Sequence, residues 1–272
     1  IMFEIFEYDF MVRAFIGGIL VGALAPALGM FLVLRRLALI ADSLSHVALT
    51  GVAFGLLTKT YPPIAGLLAT SVAAVAIETV RLKRLMPGDV ALAVVLYSAL
   101  AVAVVIIGLA GGFNVDLFAY LFGSILTVNN TDLWLLGILV VIVLSFVVSF
   151  YSELAQSSFD TDLARTTGVR VFSVNLALAI LTGAAITLSM RVVGVLLVGA
   201  LIVVPVMVSL RIATGLRAAI GLAMFIGVGS SVVGLMIAFY ANVAAGGAIV
   251  LTSVGVLVLT MGTGYVASKV RA

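Results

Sequence analysis

Asp42 and His46 stand four residues apart in the stretch "LALIADSLSHVALTGVAFG" at 37–55, and His46 is the chain's one histidine. On an α-helix this spacing puts both side chains on one face, about one turn apart. A carboxylate oxygen and a neutral imidazole nitrogen are both ligands for zinc, manganese and iron. The nearby hydroxyls of Ser43, Ser45 and Thr50 are candidates to line a wet path. A structural explanation competes with this one: Asp42 caps a helix that starts there, and His46 bonds back to it. Two ligands do not complete a stable zinc site, which takes four, or three from protein when the site is open. A weakly binding pair suits a conduit, because an ion in transit has to leave again. Repeating the pair across a dimer axis is one way to add ligands.

A second polar stretch, "YSELAQSSFDTDLARTTGVR", covers 151–170. It predicts a short helix over 158–168, with Ser158 as cap, Asp160 and Asp162 in the first turn, Arg165 near the end and Gly168 at the stop. Phe159 and Leu163 then share a face. Such a helix either lies on a membrane surface or is offered to a cytoplasmic partner, and residue physics leaves both readings open.

The elements around these residues follow from composition. Of 272 residues, 64% are apolar and 9% are charged, with a mean hydropathy of +1.40. That much apolar surface exceeds what one aqueous core can hide, so the solvent of this chain is a lipid bilayer. Backbone amides in hydrocarbon must be bonded within the segment, and apolar runs near twenty residues select helices over barrel strands. The expected fold class is an all-α polytopic membrane protein forming one domain over 1–272. Nine spans are expected, near 11–34, 38–57, 64–80, 90–109, 133–150, 172–189, 193–210, 218–239 and 248–267, with eight or ten as the alternatives. Little more than Arg191 separates the sixth from the seventh, so a tight turn or a broken helix is expected there.

Lys and Arg collect in cytoplasmic loops. With the N-terminus outside and nine crossings, Arg35, Arg36, Arg81, Lys83, Arg84, Arg165, Arg170, Arg211, Arg217, Lys269 and Arg271 fall inside. Arg13, Lys59 and Arg191 fall outside. The C-terminus is then cytoplasmic. The opening "IMFEIFEYDF" is acidic and lacks the basic start of a cleavable signal peptide.

Gly18 and Gly22 form a small-xxx-small pair in the first span, and Gly221, Gly227, Gly229 and Gly234 crowd the eighth. Pro26 and Pro205 lie inside spans, where each removes a backbone donor. The chain has no cysteine, which excludes thiolate metal sites and thiol catalysis. It contains no G-x-x-x-x-G-K-[ST], H-E-x-x-H or G-x-S-x-G, and therefore no ATP site of the first type, no zincin and no recognisable serine nucleophile. A net charge of +3 in so apolar a chain gives no reason to expect a nucleic-acid partner.

Taken in order along the chain, "LRRLALIADSLSHVALTGVAFG" at 34–55, "DLFAYLFGSIL" at 116–126, "SFDTDLARTTGV" at 158–169, "MRVVGVLLVGALIVVPV" at 190–206 and "AGGAIVL" at 245–251 resemble the permease subunits of bacterial ABC importers for zinc, manganese and iron. The resemblance spans nearly the whole chain, although its first residues look truncated or altered. It implies a fold related to the vitamin B12 and siderophore permeases with fewer helices, in the bacterial plasma membrane. It also implies a homodimer, two cytoplasmic ATPase subunits that carry the ATP, and an extracytoplasmic metal-binding protein of cluster A-I type. Asp42 and His46 match the family's D-x-L-x-H motif, associated with the translocation path. "SFDTDLARTTGV" matches the segment that offers a coupling helix to the ATPase. The cargo implied is Zn2+, with Mn2+ next, and no tightly bound cofactor. "RRLALIADSLSH" and "FNVDLFAYLFGSILTVNNTDLW" look closest to zinc importers of Gram-positive type. Two other classes remain: a proton-coupled secondary transporter using Asp42, and an intramembrane enzyme with His46 as base.

Overall fold

The computed structural model of the protein describes residues 7–83, 85–110, 120–123 and 128–271. Its elements are helices: α1 (Asp9–Leu34), α2 (Leu39–Leu57), α3 (Pro62–Leu82), α4 (Gly88–Leu109), α5 (Asn130–Ser149), α6 (Tyr151–Phe159), α7 (Thr161–Thr166), α8 (Val171–Ser189), α9 (Val195–Ile212), α10 (Leu216–Ala241) and α11 (Ala245–Arg271). Among the described residues, eight helices are long and apolar enough to cross a membrane, and Leu197–Ile212 of α9 is a shorter apolar stretch. These nine correspond to the nine expected spans. Gly111 and Gly112, Arg84 and most of the landmark at 116–126 lie outside the described residues.

The bundle is built around α1 and α2, the most buried spans, while α4 and α11 are the most exposed. α1 packs on α10, α9 and α5, and α2 packs on α3 and α4. Lipid tails are as apolar as leucine, so helices in a bilayer associate through close contact of small residues rather than through apolar burial. At the crossing of α1 with α10, a Cβ added to Gly22 would stand 2.7 Å from the Gly227 carbonyl oxygen. Of the other glycines expected to crowd α10, Gly234 abuts the Ile249 backbone, whereas Gly221 and Gly229 face open space.

The link between α8 and α9 is a tight turn. Val193 N–H donates to Ser189 O at 3.1 Å and Gly194 N–H to Met190 O at 2.9 Å. Gly194 (φ +93°) and Gly123 (φ +74°) both occupy the left-handed region, back to back. A Cβ on Gly123 would stand 2.6 Å, and one on Gly194 2.4 Å, from the other segment's backbone. Only residues without a Cβ allow these two loops to touch.

Hydrogen bonds between helix ends establish which ends lie together. Arg35, after α1, donates from Nε to Ser158 Oγ of α6 at 3.0 Å, from Nη2 to Ser157 Oγ at 2.6 Å, and from Nη1 to Asn175 Oδ1 of α8. At the other end, Arg191 donates from Nη1 to Asp132 Oδ2 of α5 at 2.8 Å and from Nε to Tyr120 Oη at 3.0 Å. Its guanidinium also lies over the Tyr120 ring, 5.2 Å from the centroid. Burial alone would push Arg191 down, but Asp132 and Tyr120 outweigh it and hold the guanidinium above its ordinary value. Burial pushes Tyr120 up, with Arg191 opposing. One end thus gathers Arg35, Arg36, Arg81, Lys83, Arg165, Arg170, Arg211 and Arg217, and the other carries Lys59 and Arg191. We call the first the basic end.

Asp132 closes a capping box with Asn129, accepting from the Asn129 N–H at 3.2 Å while its own N–H donates to Asn129 Oδ1 at 2.9 Å. Replacing Asp132 by alanine removes the reciprocal half of the capping box and leaves Arg191 without its carboxylate in a half-buried site. The expected loss is about 3 kcal/mol or more, read as a lowered unfolding midpoint in detergent. Asp132→Asn, which keeps an acceptor, should recover part of it.

Candidate functional site

α2 begins at Leu39, with Ala38 as its N-cap and no side-chain cap bond. Asp42 is therefore in the first turn but is not the cap, so the capping explanation for its presence fails. At 1.5 Å per residue, His46 lies about 10 Å along α2 from the basic end. The His46 Nε2 and an Asp42 Oδ are 4.0 Å apart. Two ligands on a tetrahedral zinc ion, each about 2.0–2.1 Å from it, stand about 3.3 Å apart. A small rotation of the Asp42 side chain, which is 58% exposed, closes that difference.

His46 is 15% exposed, its Nε2 turned toward Asp42 and its Nδ1 buried without a hydrogen-bond partner. Among the described residues, no group of three or more His, Asp or Glu side chains is placed to hold a metal ion. Among the described residues, the pair supplies two ligands and no third side chain joins it.

The pair belongs to a stripe along α2. Leu39, Asp42, His46, Thr50, Phe54 and Leu57, spaced three or four apart, are exposed or half-exposed; of the other positions of the helix, all but half-exposed Leu56 in the last turn are buried. The hydroxyls have other work than the path expected of them. Ser43 is buried and donates to Leu39 O and to Leu92 O of α4, at 3.0 and 2.9 Å. Ser45 is buried and donates to Ala41 O at 2.7 Å. Each hydroxyl is sealed against a neighbouring turn or helix. Thr50 bonds Ala99 O of α4 at 2.8 Å, yet it borders an apolar groove of about 730 Å3 with Phe54 and Ile64.

The polar stretch at the basic end forms two helices, α6 and α7, rather than the one expected over 158–168. Ser158 is not a cap. It lies inside α6 and donates to Leu154 O at 2.6 Å. Asp160 is the cap of α7, its Oδ1 accepting from the N–H groups of Asp162 and Leu163 at 3.0 Å each. A carboxylate next to the helix start satisfies two free amides and the positive end of the dipole together, which Ser158, two residues earlier and already helical, cannot reach. Arg165 closes the helix, 3.7 Å from Asp162, and Gly168 (φ +86°) ends it in the left-handed region. Phe159 and Leu163, 70% and 61% exposed, project from this pair into solvent.

Reasoning from the sequence overlooked Glu78. It is buried in α3 and pairs with Arg81 at 2.7 Å. A lone carboxylate in "AIETVRL" was a usable signal, since a charge inside a span needs a partner. It also treated Arg35 as a topology marker, whereas Arg35 joins α1, α6 and α8.

Residues 7–264 match the model of the ABC 3 transport family. The chain is 33% identical over 254 residues to the high-affinity zinc uptake system membrane protein ZnuB of Haemophilus influenzae, covering 93% of this chain and 97% of that one. It is 33% identical over 268 residues to the manganese import system permease protein ScaB of Streptococcus gordonii, covering 97% and 94%. Among solved structures it is similar to PsaBC from Streptococcus pneumoniae in complex with Fab, with a TM-score of 0.85, 31% identity and 96% and 95% coverage.

Proposed function

The chain belongs to the ABC 3 transport family, and on that premise we propose that it is the membrane-spanning subunit of an ATP-driven importer of a divalent metal ion, zinc ahead of manganese. The observation that carries this reading is the Asp42–His46 pair on the one open stripe of a central, otherwise buried helix. One of the relatives is named for zinc and another for manganese, and a carboxylate with an imidazole suits either ion.

The missing ligands and the open stripe have a common remedy. A second copy packed about a two-fold axis along α2 would bring two Asp–His pairs to one passage and remove Asp42 from lipid. A charge exposed to hydrocarbon costs on the order of 2.5–3.5 kcal/mol at mid-membrane. Both considerations support a homodimer. The basic end faces the cytoplasm by the positive-inside rule, which puts the N-terminus outside and the C-terminus inside. Exposed Phe159 and Leu163, with Asp160, Asp162, Arg165 and Gly168 shaping their helix, then face the cytoplasm as the contact for a separate ATPase subunit. Arg35 ties that contact to the end of α1, and only Leu37 and Ala38 separate Arg36 from the start of α2. Movement of α6 and α7 therefore has a short covalent route to Asp42. An extracytoplasmic metal-binding protein would deliver the ion at the opposite end.

Proteoliposomes containing the chain and its ATPase should import metal only with ATP on the basic side. Import driven by a proton gradient without the ATPase would instead make this a secondary transporter. The absence of cysteine allows a direct test of the axis. With Phe54→Cys, a short bismaleimide should link two chains; Val148→Cys, exposed on α5, should stay unlinked. Failure of both Phe54→Cys and Leu39→Cys to link would place the stripe away from the axis.

A further inference from the structure

At the basic end a cavity of about 440 Å3 opens between the ends of α1 and α3, the α6–α7 pair and the start of α8. Four arginines, Arg35, Arg36, Arg81 and Arg165, face it against one carboxylate, Glu78. A second cavity of about 940 Å3, which also touches Asp89, shares Arg35, Arg36 and Arg81. Three guanidinium groups thus stand on the wall between two polar openings.

Their charge is poorly compensated. Glu78 is committed to Arg81. Arg165 has only the loose, exposed contact with Asp162, of a kind worth little. Arg35 donates to three neutral oxygens. Among the described residues, no carboxylate lies within ion-pair distance of Arg35 or Arg36. Burial lowers Arg35 to about 10, with Glu78 opposing and Arg81 adding, so it stays charged at neutral pH.

The backbone at Arg36 points the same way. Arg36 N–H donates to Val33 O at 3.0 Å and Leu37 N–H to Leu32 O at 2.8 Å, which is a Schellman closure of α1 with Arg36 at its left-handed position. Its φ is +58°. Glycine is the usual residue there, because a Cβ is strained in that region. A guanidinium stands where the local geometry favours glycine, and local strain of this kind collects at binding sites.

We propose that this cavity binds the phosphate of an anionic phospholipid headgroup, held by Arg35, Arg36, Arg81 and Arg165. Guanidinium forks match phosphate oxygens two at a time. Leu82 on the first cavity, and Leu85 and Met86 on the second, are exposed apolar side chains beside the charges. That rim suits a glycerol and acyl chain better than a free anion. Basic pockets between helices at the cytoplasmic interface are where such headgroups bind; the lipid leaflet in question rests on the orientation proposed above. The bound phosphate would join α1 and α3 to the α6–α7 pair.

The test uses the full chain in nanodiscs of phosphatidylcholine, with or without phosphatidylglycerol. The readouts, neither involving metal transport, are the unfolding midpoint and the phosphatidylglycerol retained per chain by native mass spectrometry. Phosphatidylglycerol should raise the wild-type midpoint. Arg36→Gly should lower retention on the order of tenfold, the size of one lost charge-assisted hydrogen bond, and abolish the rise. Its midpoint in phosphatidylcholine alone should equal or exceed wild type, since strain is relieved. Arg36→Lys should keep part of the retention, and Arg211→Gln, a basic residue elsewhere at this end, should keep all of it. Equal retention in wild type and Arg36→Gly would overturn the proposal. So would an equal rise from inorganic phosphate without the lipid, which assigns the cavity to a free anion. Loss of ATPase binding by Arg36→Glu in phosphatidylcholine alone would also overturn it, making the cavity a protein contact.

Discussion

A chain carrying His46→Ala should reach the membrane in normal amount and take up metal more slowly, by a factor on the order of 10–100, the range lost when a metal's ligand geometry is disturbed. Normal folding is expected because the imidazole is not a structural partner: its Nδ1 bonds nothing and its Nε2 stands 4.0 Å from Asp42. Asp42→Ala should have a similar effect, as its side chain is mostly exposed and caps no helix. In the proposed role the two side chains act on one ion, so removing both should cost little more than removing either. Uptake of labelled zinc and of labelled manganese, at matched expression, measures all three variants and ranks the two ions. Unimpaired uptake in both single variants would remove the pair from the transport path.

Leu163→Asp should detach the ATPase while leaving the spans inserted. Leu163, on the capped α7, and Phe159, at the end of α6, are large exposed apolar side chains. Burying one leucine against a partner is worth about 1.5–3 kcal/mol, and a carboxylate there adds a desolvation cost. Association should therefore weaken on the order of 10–100-fold or more, seen as lost co-purification and lost metal-stimulated ATP hydrolysis. Asp162→Lys should act in the same direction by reversing charge on that face and removing the contact with Arg165. If both variants assemble and hydrolyse ATP normally, α6 and α7 are only a surface feature.

Much of the architecture was readable from residue order. Each of the nine expected spans is matched by an apolar helix, because a bilayer leaves a backbone no other way to bond its amides. Their alternation followed from arginine positions alone, and the side-chain bonds of Arg35 and Arg191 now bring the expected ends together. The helix around 158–168 was located but misread in detail. Ser158 and Asp160 are both good caps by type, and choosing between them required knowing that α6 runs on to Phe159. Ser43 and Ser45 looked like path residues because hydroxyls beside an Asp–His pair are chemically plausible. Which way each points is decided by the packing of α2 on α4.

What the sequence alone determined is the solvent, the approximate positions of the apolar helices, and the presence of a carboxylate and an imidazole on one face of the second. These depend on hydropathy, helical period and charge placement, all of which are local. Only the tertiary structure decided that this face is the open stripe of an otherwise buried helix. It alone showed that Arg35 and Arg36 meet Arg81 and Arg165 over one cavity, and that Gly123 and Gly194 let two distant loops touch. Such facts depend on which helices pack against which. In a bilayer, small residues and shape choose those neighbours, and neither leaves a periodic signal in the chain.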